Sequence, residues 1–340
     1  MLYSPPMKRP VLVISGSMEL LETFFPARVR ARLKSFRWKT VEGRQLTSQF
    51  KSHLKDAEAL ITTWDSPHFP EDLTTIAPRL RIIGHCGGEV KSRFPQSLFE
   101  RLTITNASAP MSRPTAELGA ALLLYSARNI DFYRGELSKR SNRIYDNVHL
   151  HGSSESLIGQ TVAMIGFGRI GRALVDLLIG FDVKWLVHDP YADQSLSQKY
   201  PIHFVSLKEL LPKARLLVLT AALTDQTRGM LGKKQLAALP DGATVINIAR
   251  GGLINLEALK IEVIRGRLRC AIDVTDPQEP LPVGHPLRNM QGAIMTPHVA
   301  GSGRQVREDI ANVVLDDLER FFRGKPVQNR VTTAMLDRMT

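Results

Sequence analysis

The sequence predicts an α/β protein built from two doubly wound parallel sheets. Three observations predict it. At 340 residues the chain has room for two hydrophobic cores. Short apolar β-runs alternate with helical segments in both halves, the signature of parallel sheets. A G-x-G-x-x-G at residues 166–171 stands between a strand and a helix in the second half.

In chain order, residues 10–15, 59–63, 80–84 and 102–106 read as strands of a first sheet. Residues 115–130 are expected as an apolar helix with Pro114 at its first position, where a missing N–H is tolerated. A polar stretch then runs to about residue 155. The second sheet is read from 161–165, 183–187, 216–220, 243–247, 270–274 and 293–296. A helix over 256–265 has Asn255 to cap it and Gly266 to end it. Val306, Ile310, Val313, Val314, Asp317 and Phe321 trace one more helical stripe, closed by Gly324 and Pro326. That helix is expected to return to the first domain, which leaves the second inserted within it.

Composition narrows the function. The net charge is +12, but the basic residues are dispersed, with only short clusters at 28–32 and 265–269, and aromatic residues make up 6%. No helix-turn-helix, RNA-recognition or zinc-finger spacing is present, so neither a nucleic-acid partner nor a metal is expected. A basic surface also draws small anions. No apolar run approaches the roughly 20 residues of a membrane span. The first ten residues lack the apolar core and cleavage site of a signal peptide. Two cysteines far apart in sequence, Cys86 and Cys270, form no disulfide framework and suggest the reducing cytoplasm.

The glycine motif has its full context. A lone motif of this kind is often only a tight turn, but here strand, helix and a following acid are in register. Gly166 makes the turn, Gly168 lets backbone approach a pyrophosphate, and Gly171 lets helix and strand pack. Arg169 and Ile170 open a helix whose first N–H groups face the phosphates. Asp189, ending the next strand, accepts from an adenosine ribose diol and repels a 2′-phosphate, which favours NAD over NADP. A protonated His188 would soften that preference.

Arg250, Glu279 and His298 each lie just past a separate strand of this sheet, at the carboxyl ends where such sheets bind ligands. A guanidinium clamps a carboxylate with two hydrogen bonds and steadies a developing alkoxide. A histidine paired with a carboxylate holds and donates a proton. Singly, each has a plainer reading: a solvated arginine, an exposed turn glutamate, a histidine capping a strand end. Together beside a dinucleotide site they form a catalytic set.

From about residue 157 to 303 the chain resembles the D-isomer-specific 2-hydroxyacid dehydrogenases. The motifs are Gly166-Phe167-Gly168-Arg169-Ile170-Gly171, Leu223-Thr224-Asp225-Gln226-Thr227-Arg228-Gly229, Asn247-Ile248-Ala249-Arg250-Gly251, Asp273-Val274, Glu279-Pro280-Leu281-Pro282 and Thr296-Pro297-His298. The resemblance implies two Rossmann-like domains with the active-site cleft between them, and a homodimer. It implies His298 as acid/base, Glu279 as its partner, Arg250 as substrate anchor, and Thr227 and Ala249 on the cofactor side. Asp273 is implied to help hold the nicotinamide carboxamide. In the family a glycine-rich loop offers N–H groups to the substrate carboxylate, which points here to Gly87 and Gly88. The acid usual beyond that loop is replaced by Val90-Lys91. Lys91 is either an added positive charge for an anionic substrate or a surface lysine. Trp64 walls the pocket or fills the core, and Cys86 is packing filler. Thr220 stands where many members carry a histidine near the cofactor.

The expected activity is hydride transfer between NAD(H) and a small 2-hydroxy or 2-oxo acid, D-specific by resemblance. Residues 1–112, completed by 304–340, are expected to bind substrate and 113–303 to bind NAD, with hinges near Arg113 and Gly303. The alternative is an NAD-dependent interaction protein like the C-terminal-binding-protein corepressors, which use the same scaffold and keep the same trio.

Overall fold

In the computed structural model, which describes residues 9–138 and 156–339, the chain divides into two compact units. One comprises Met1–Met111 and Ser302–Thr340, the other Ser112–Gly301. The N-terminal octapeptide and most of the polar stretch before residue 156 lie outside the described residues.

The first unit holds β1 (Val11–Ser15), β2 (Arg37–Val41), β3 (Ala59–Thr62), β4 (Ile82–His85) and β5 (Thr103–Asn106), all parallel. The second holds β6 (Thr161–Ile165), β7 (Lys184–His188), β8 (Ile202–Phe204), β9 (Leu216–Leu219), β10 (Thr244–Asn247), β11 (Arg269–Ile272) and β12 (Ala293–Met295). The last strand, β13 (Arg330–Val331), pairs antiparallel with β5 in the first unit. The sheet orders are β13-β5-β4-β3-β1-β2 and β12-β11-β10-β9-β6-β7-β8, the second parallel throughout. Both sheets are doubly wound, as the sequence predicts.

Strand periodicity assigns the two faces. In β6, Ala163 and Ile165 enter one apolar cluster while Val162 and Met164 enter the other. In β1, Leu12 and Ile14 face one side and Val13 the other. Strands buried on both faces read as continuous apolar runs, which is why they are legible in sequence.

The helix Arg304–Phe322 packs in the first unit, burying Ile310, Ala311, Val314, Leu315 and Leu318 in the β1 face cluster. Asp317, fully buried on that helix, accepts from the Gln328 and Asn329 amides and from the Asn329 side chain, which fixes the segment leading into β13. The basic cluster at 28–32 is ion-paired to the same helix, through Arg28 to Glu308 and Arg32 to Asp316 and Glu319. In the other cluster, Arg267 pairs with Glu262.

Two expectations are corrected. The long helix runs Ala109–Ala127 and carries Pro114 inside it, so Pro114 is not its first residue. Pro110 occupies the first turn instead, where the backbone nitrogen has no intrahelical acceptor. That helix does not reach residue 130. It stops before Asn129, whose φ of 52° is left-handed, and a second helix, Ile130–Ser138, replaces the start of the expected polar stretch. No helix among the described residues is long and apolar enough to cross a membrane.

Candidate active site

The glycine motif is braced on three sides. Gly166 follows β6 at φ 91°, and a side-chain Cβ there would lie 2.5 Å from the Ala221 backbone, so both the turn and the close approach demand glycine. The Gly166 amide donates to the His188 carbonyl at 2.9 Å, and the Thr220 hydroxyl donates to the Gly166 carbonyl at 2.6 Å. Asp189 accepts from the Phe167 amide at 2.7 Å and from the Tyr191 amide at 2.9 Å. Thr220, which sequence reading placed only near the cofactor, is thus a buttress of the loop.

The helix Arg169–Leu177 begins at Gly168 with no side-chain cap, and the space beside Gly168 is open to 4 Å. Arg169 is exposed and Ile170 half-buried in its first turn, while Gly171 packs against Met164. Uncapped N–H groups beside open space, with a carboxylate at the end of the next strand, fit a dinucleotide's pyrophosphate and ribose. Thr227 closes a neighbouring turn, its hydroxyl donating to the Ala222 carbonyl at 2.7 Å.

Glu279 and His298 meet. His298 Nδ1 lies 2.7 Å from Glu279 Oε2. Glu279 Oε1 accepts from the Thr275 amide at 3.0 Å. Burial raises the Glu279 carboxyl's pKa, but the His298 and Thr275 hydrogen bonds and the charges of His298 and Arg250 outweigh it and hold it below the ordinary value. A carboxylate on Nδ1 leaves His298 Nε2 as the nitrogen able to carry a proton outward.

Asn247 shapes the Arg250 turn: its amide donates to the Arg250 carbonyl at 2.9 Å and its oxygen accepts from the Ala249 amide at 3.0 Å. The Arg250 guanidinium touches the Ala249 carbonyl at 2.9 Å. Gly251 then packs so tightly that a Cβ would sit 2.2 Å from the Thr275 carbonyl carbon, which brings the Arg250 turn against the loop bearing Glu279. Gly251→Ala should therefore push the two loops apart and cost activity by roughly 10²-fold, since ångström-scale misplacement has that effect. A variant with near-normal turnover would show that the two loops act independently.

Asp273 is 2% exposed and its carboxylate is largely occupied. Oδ1 accepts from the Thr296 hydroxyl at 2.6 Å and the Val299 amide at 2.9 Å, and Oδ2 from the Ala300 amide at 3.1 Å. The Asp273 carbonyl accepts from the His298 amide at 2.8 Å. His298 itself sits at φ 53°, a left-handed conformation costly for a side-chain-bearing residue. The Asp273 clamp is what holds it there. Asn247 has a local signal, an asparagine opening a turn. The clamp has none, because its partners lie more than twenty residues away.

The other predicted residues lie in the first unit. Trp64 is half-buried, edge-on to Phe24 at 5.2 Å between ring centroids. The Gly87 amide is consumed locally, donating to the His85 carbonyl at 2.9 Å, so of the two predicted amides only that of Gly88 has no partner among the described residues. Cys86 is fully buried and its thiol pKa is pushed up by burial, in keeping with packing filler. Lys91 is exposed. Sequence reading missed Arg93, whose guanidinium donates to the Trp64, Ser66 and Pro67 carbonyls and ties down the loop carrying Trp64.

Beside Arg93, buried His85 has its pKa pushed down to about 3 by burial and by the Arg93 charge, and stays neutral. Unfolding lets it titrate near 6.5, so the unfolded chain binds the extra proton and stability falls as pH drops from about 6.5 toward 3. His85→Asn should flatten the drop in melting temperature between about pH 7 and pH 4. Equal slopes in variant and wild type would refute the assignment.

The family model for the D-isomer specific 2-hydroxyacid dehydrogenase NAD-binding domain matches residues 120–300. The chain belongs to this family. Its NAD-binding domain is the second unit, which carries the glycine motif and the Arg250, Glu279 and His298 loops. Among relatives, a D-3-phosphoglycerate dehydrogenase of Methanocaldococcus jannaschii is 30% identical over 82% of this chain and 52% of its own length. The chain thus spans about half the length of the archaeal phosphoglycerate dehydrogenases it matches. A mitochondrial formate dehydrogenase 2 of Oryza sativa subsp. japonica is 30% identical over 85% of this chain and 77% of its own. The crystal structure of the TT0316 protein from Thermus thermophilus superposes with a TM-score of 0.75 at 28% identity, covering 95% of this chain and all of that one.

Proposed function

We propose that this family member transfers a hydride reversibly between NAD(H) and a small 2-oxo or 2-hydroxy acid, with D stereochemistry. The observation that carries the reading is the His298–Glu279 contact at 2.7 Å, with the Arg250 charge acting on the same carboxylate. Those are the parts an oxo-acid reductase needs: a proton donor, its electrostatic partner and a cation for the substrate carboxylate.

In the reducing direction, Arg250 holds the substrate carboxylate; in the first unit, Gly88 and Trp64 are the residues this reading assigns to the substrate. His298 Nε2 delivers a proton to the carbonyl oxygen while Glu279 stabilises the protonated ring. Asp273 holds the His298 loop, and its remaining acceptor capacity on Oδ2 suits a carboxamide N–H. Gly166, Gly168, Arg169, Ile170 and Gly171 cradle the pyrophosphate, Asp189 takes the ribose diol, and Thr227 and Ala249 line the cofactor side. When bound, the nicotinamide supplies or accepts the hydride. In the oxidising direction Nε2 takes the hydroxyl proton.

Asp189 supports NAD over NADP, because its carboxylate repels a 2′-phosphate. Residues 1–112 with 304–340 bind substrate in this reading, and 113–303 bind NAD. Family resemblance supports a homodimer, and two buried free thiols suit a cytoplasmic enzyme.

The test is NADH and NADPH oxidation with a panel of 2-oxo acids including glyoxylate, hydroxypyruvate, pyruvate and phenylpyruvate. Turnover with NADH that is weaker with NADPH, and relaxed by Asp189→Ser, is the expected result. Tight NADH binding without turnover on any oxo acid would instead favour the NAD-gated interaction protein.

A further inference from the structure

The second unit holds a cavity of about 400 Å³ at the end of its sheet opposite the catalytic loops. Thr244 at the start of β10, Arg269 and Cys270 at the start of β11, and Gly292 just before β12 line it. Arg250, Glu279 and His298 follow the carboxyl ends of those same strands, about 10 Å of strand away. Doubly wound sheets bind their dinucleotide at that carboxyl end, so the cavity has no part in the site already described. Its polar groups are unspent. Thr244 and Arg269 are register partners across β10 and β11, which sets their side chains on one face of the sheet. Thr244 is 2% exposed, and Ser126, which reaches the cavity from the helix Ala109–Ala127, is 6% exposed. The hydroxyl of each is buried with no hydrogen-bond partner among the described residues. Buried hydroxyls are ordinarily bonded, and two orphans in one wall mark a place that an acceptor would complete.

Arg269 has the same deficit. A guanidinium carries five N–H donors. Arg269 spends one on Asn129 Oδ1 at 2.5 Å and one on the Gly242 carbonyl at 3.0 Å. No carboxylate among the described residues pairs with it. Burial, and after it the like charge of Arg215, push its pKa down. A half-buried cation that feels another cation and no acid sets up a positive potential, which an anion relieves. The wall decides which anion. Asp131 also lines the cavity, with Oδ2 accepting from the Gly292 amide at 2.9 Å and Oδ1 paired with Arg134 at 3.4 Å. One guanidinium beside one carboxylate suits a single negative charge better than a phosphate dianion. Tyr125, Phe132, Val263, Leu268 and Ile294 supply an apolar, partly aromatic lining. Small-molecule sites of this volume combine such a lining with a few convergent polar groups.

We propose that this cavity is a binding site, separate from the catalytic one, for a small monocarboxylic acid with an apolar or aromatic body. Arg269 and the Ser126 and Thr244 hydroxyls donate to its carboxylate. The body lies among Tyr125, Phe132 and Leu268. The site stands whether or not the protein reduces oxo acids, because every residue in it belongs to the second unit and none is catalytic.

The experiment measures, by fluorine NMR, the affinity of the NADH-saturated protein for para-fluorophenylacetate and for its neutral counterpart, para-fluorophenylacetamide. The wild type should bind the acid at least about tenfold more tightly than the amide. Arg269→Gln should weaken the acid by about tenfold to a hundredfold, the scale of one charged hydrogen-bonded contact, and the amide little. Thr244→Val keeps the shape and removes one hydroxyl, so it should weaken the acid by about twofold to tenfold. It should not lower the melting temperature, because that hydroxyl bonds nothing in the free protein. This variant keeps the test decisive if Arg269→Gln folds poorly. Arg250→Gln should leave the acid's affinity within about twofold, which separates the cavity from the catalytic cation.

A wild type that binds neither probe at millimolar concentration, or binds acid and amide alike, overturns the proposal. So does acid binding that survives both Arg269→Gln and Thr244→Val, or that is lost in Arg250→Gln alone, since the acid would then occupy the catalytic site. Light scattering on the same samples supplies one more refuting outcome. If the wild type ignores the acid and Arg269→Gln lowers the oligomeric state, a second copy of this chain covers the cavity instead.

Discussion

Replacing His298 with alanine is expected to lower kcat by about 10²–10⁴-fold, the range for loss of a positioned general acid. NADH affinity should stay within about twofold, because the glycine loop and Asp189 are braced by Thr220, the His188 carbonyl and the Phe167 and Tyr191 amides rather than by His298. Stopped-flow turnover beside fluorescence titration of NADH separates the two quantities. Turnover within about threefold of wild type would remove His298 from the chemistry. The pH profile gives a second check. Glu279 is held below the ordinary glutamate value despite the opposing effect of burial, by His298, Thr275 and Arg250. Its carboxylate is therefore present at neutral pH and lost only as pH falls through that lowered value. The acid limb of kcat/KM that belongs to Glu279 should lie below the ordinary glutamate range, and it should vanish in Glu279→Gln.

The second large effect is expected at Asp273, which on present geometry holds the His298 loop. Asp273→Asn keeps the shape but exchanges an acceptor for an amide N–H, which would then face the Ala300 amide or the Val299 amide and Thr296 hydroxyl. An unpaired buried polar group costs about 1–3 kcal/mol. With the clamp loosened, His298 is no longer held at its positive φ, and a displaced ring costs on the order of 10²-fold in kcat. Glu279 should keep its contact with Thr275, so the site is misaligned rather than unmade. Kinetics and thermal unfolding of the purified variant decide this. A variant as active and as stable as wild type would show that the clamp does not position His298.

The parts legible in sequence are those whose physics is local. Strands buried on both faces, such as β6 and β9, appear as unbroken apolar runs, and Gly166 announces a turn that only glycine makes. Arg250 and His298 are legible because each follows an apolar strand run within three residues, and Glu279 because it stands in the proline-rich loop after another. The strands that escaped notice lack the signal. β2 is exposed over Arg37, Trp38 and Lys39, as an edge strand is, and β8 and β13 span only three and two residues. Pro114 misled because its tolerated place at a helix start was taken by Pro110. Arg93 reaches back to carbonyls 26 to 29 residues earlier, and no pattern along the chain predicts such a reach. Nor does Gly87 betray in sequence that its own amide is spent on His85.

The interrupted first unit imposes an order of events during synthesis. Residues 9–111 emerge before residues 302–340, yet the face of their sheet that carries Leu12, Ile14, Ile61 and Ile82 is sealed by Ile310, Val314 and Leu318 of the helix Arg304–Phe322. That helix is translated only after the whole contiguous stretch 112–301. At ribosomal speeds of about 5–20 residues per second, the gap is some tens of seconds. Through that interval the nascent chain carries an uncovered apolar sheet face, and β5 waits without β13 along its edge. Residues 9–111 are thus made well before the segment that completes their unit, and an uncovered apolar sheet face is the kind of surface a chaperone covers while the ribosome works.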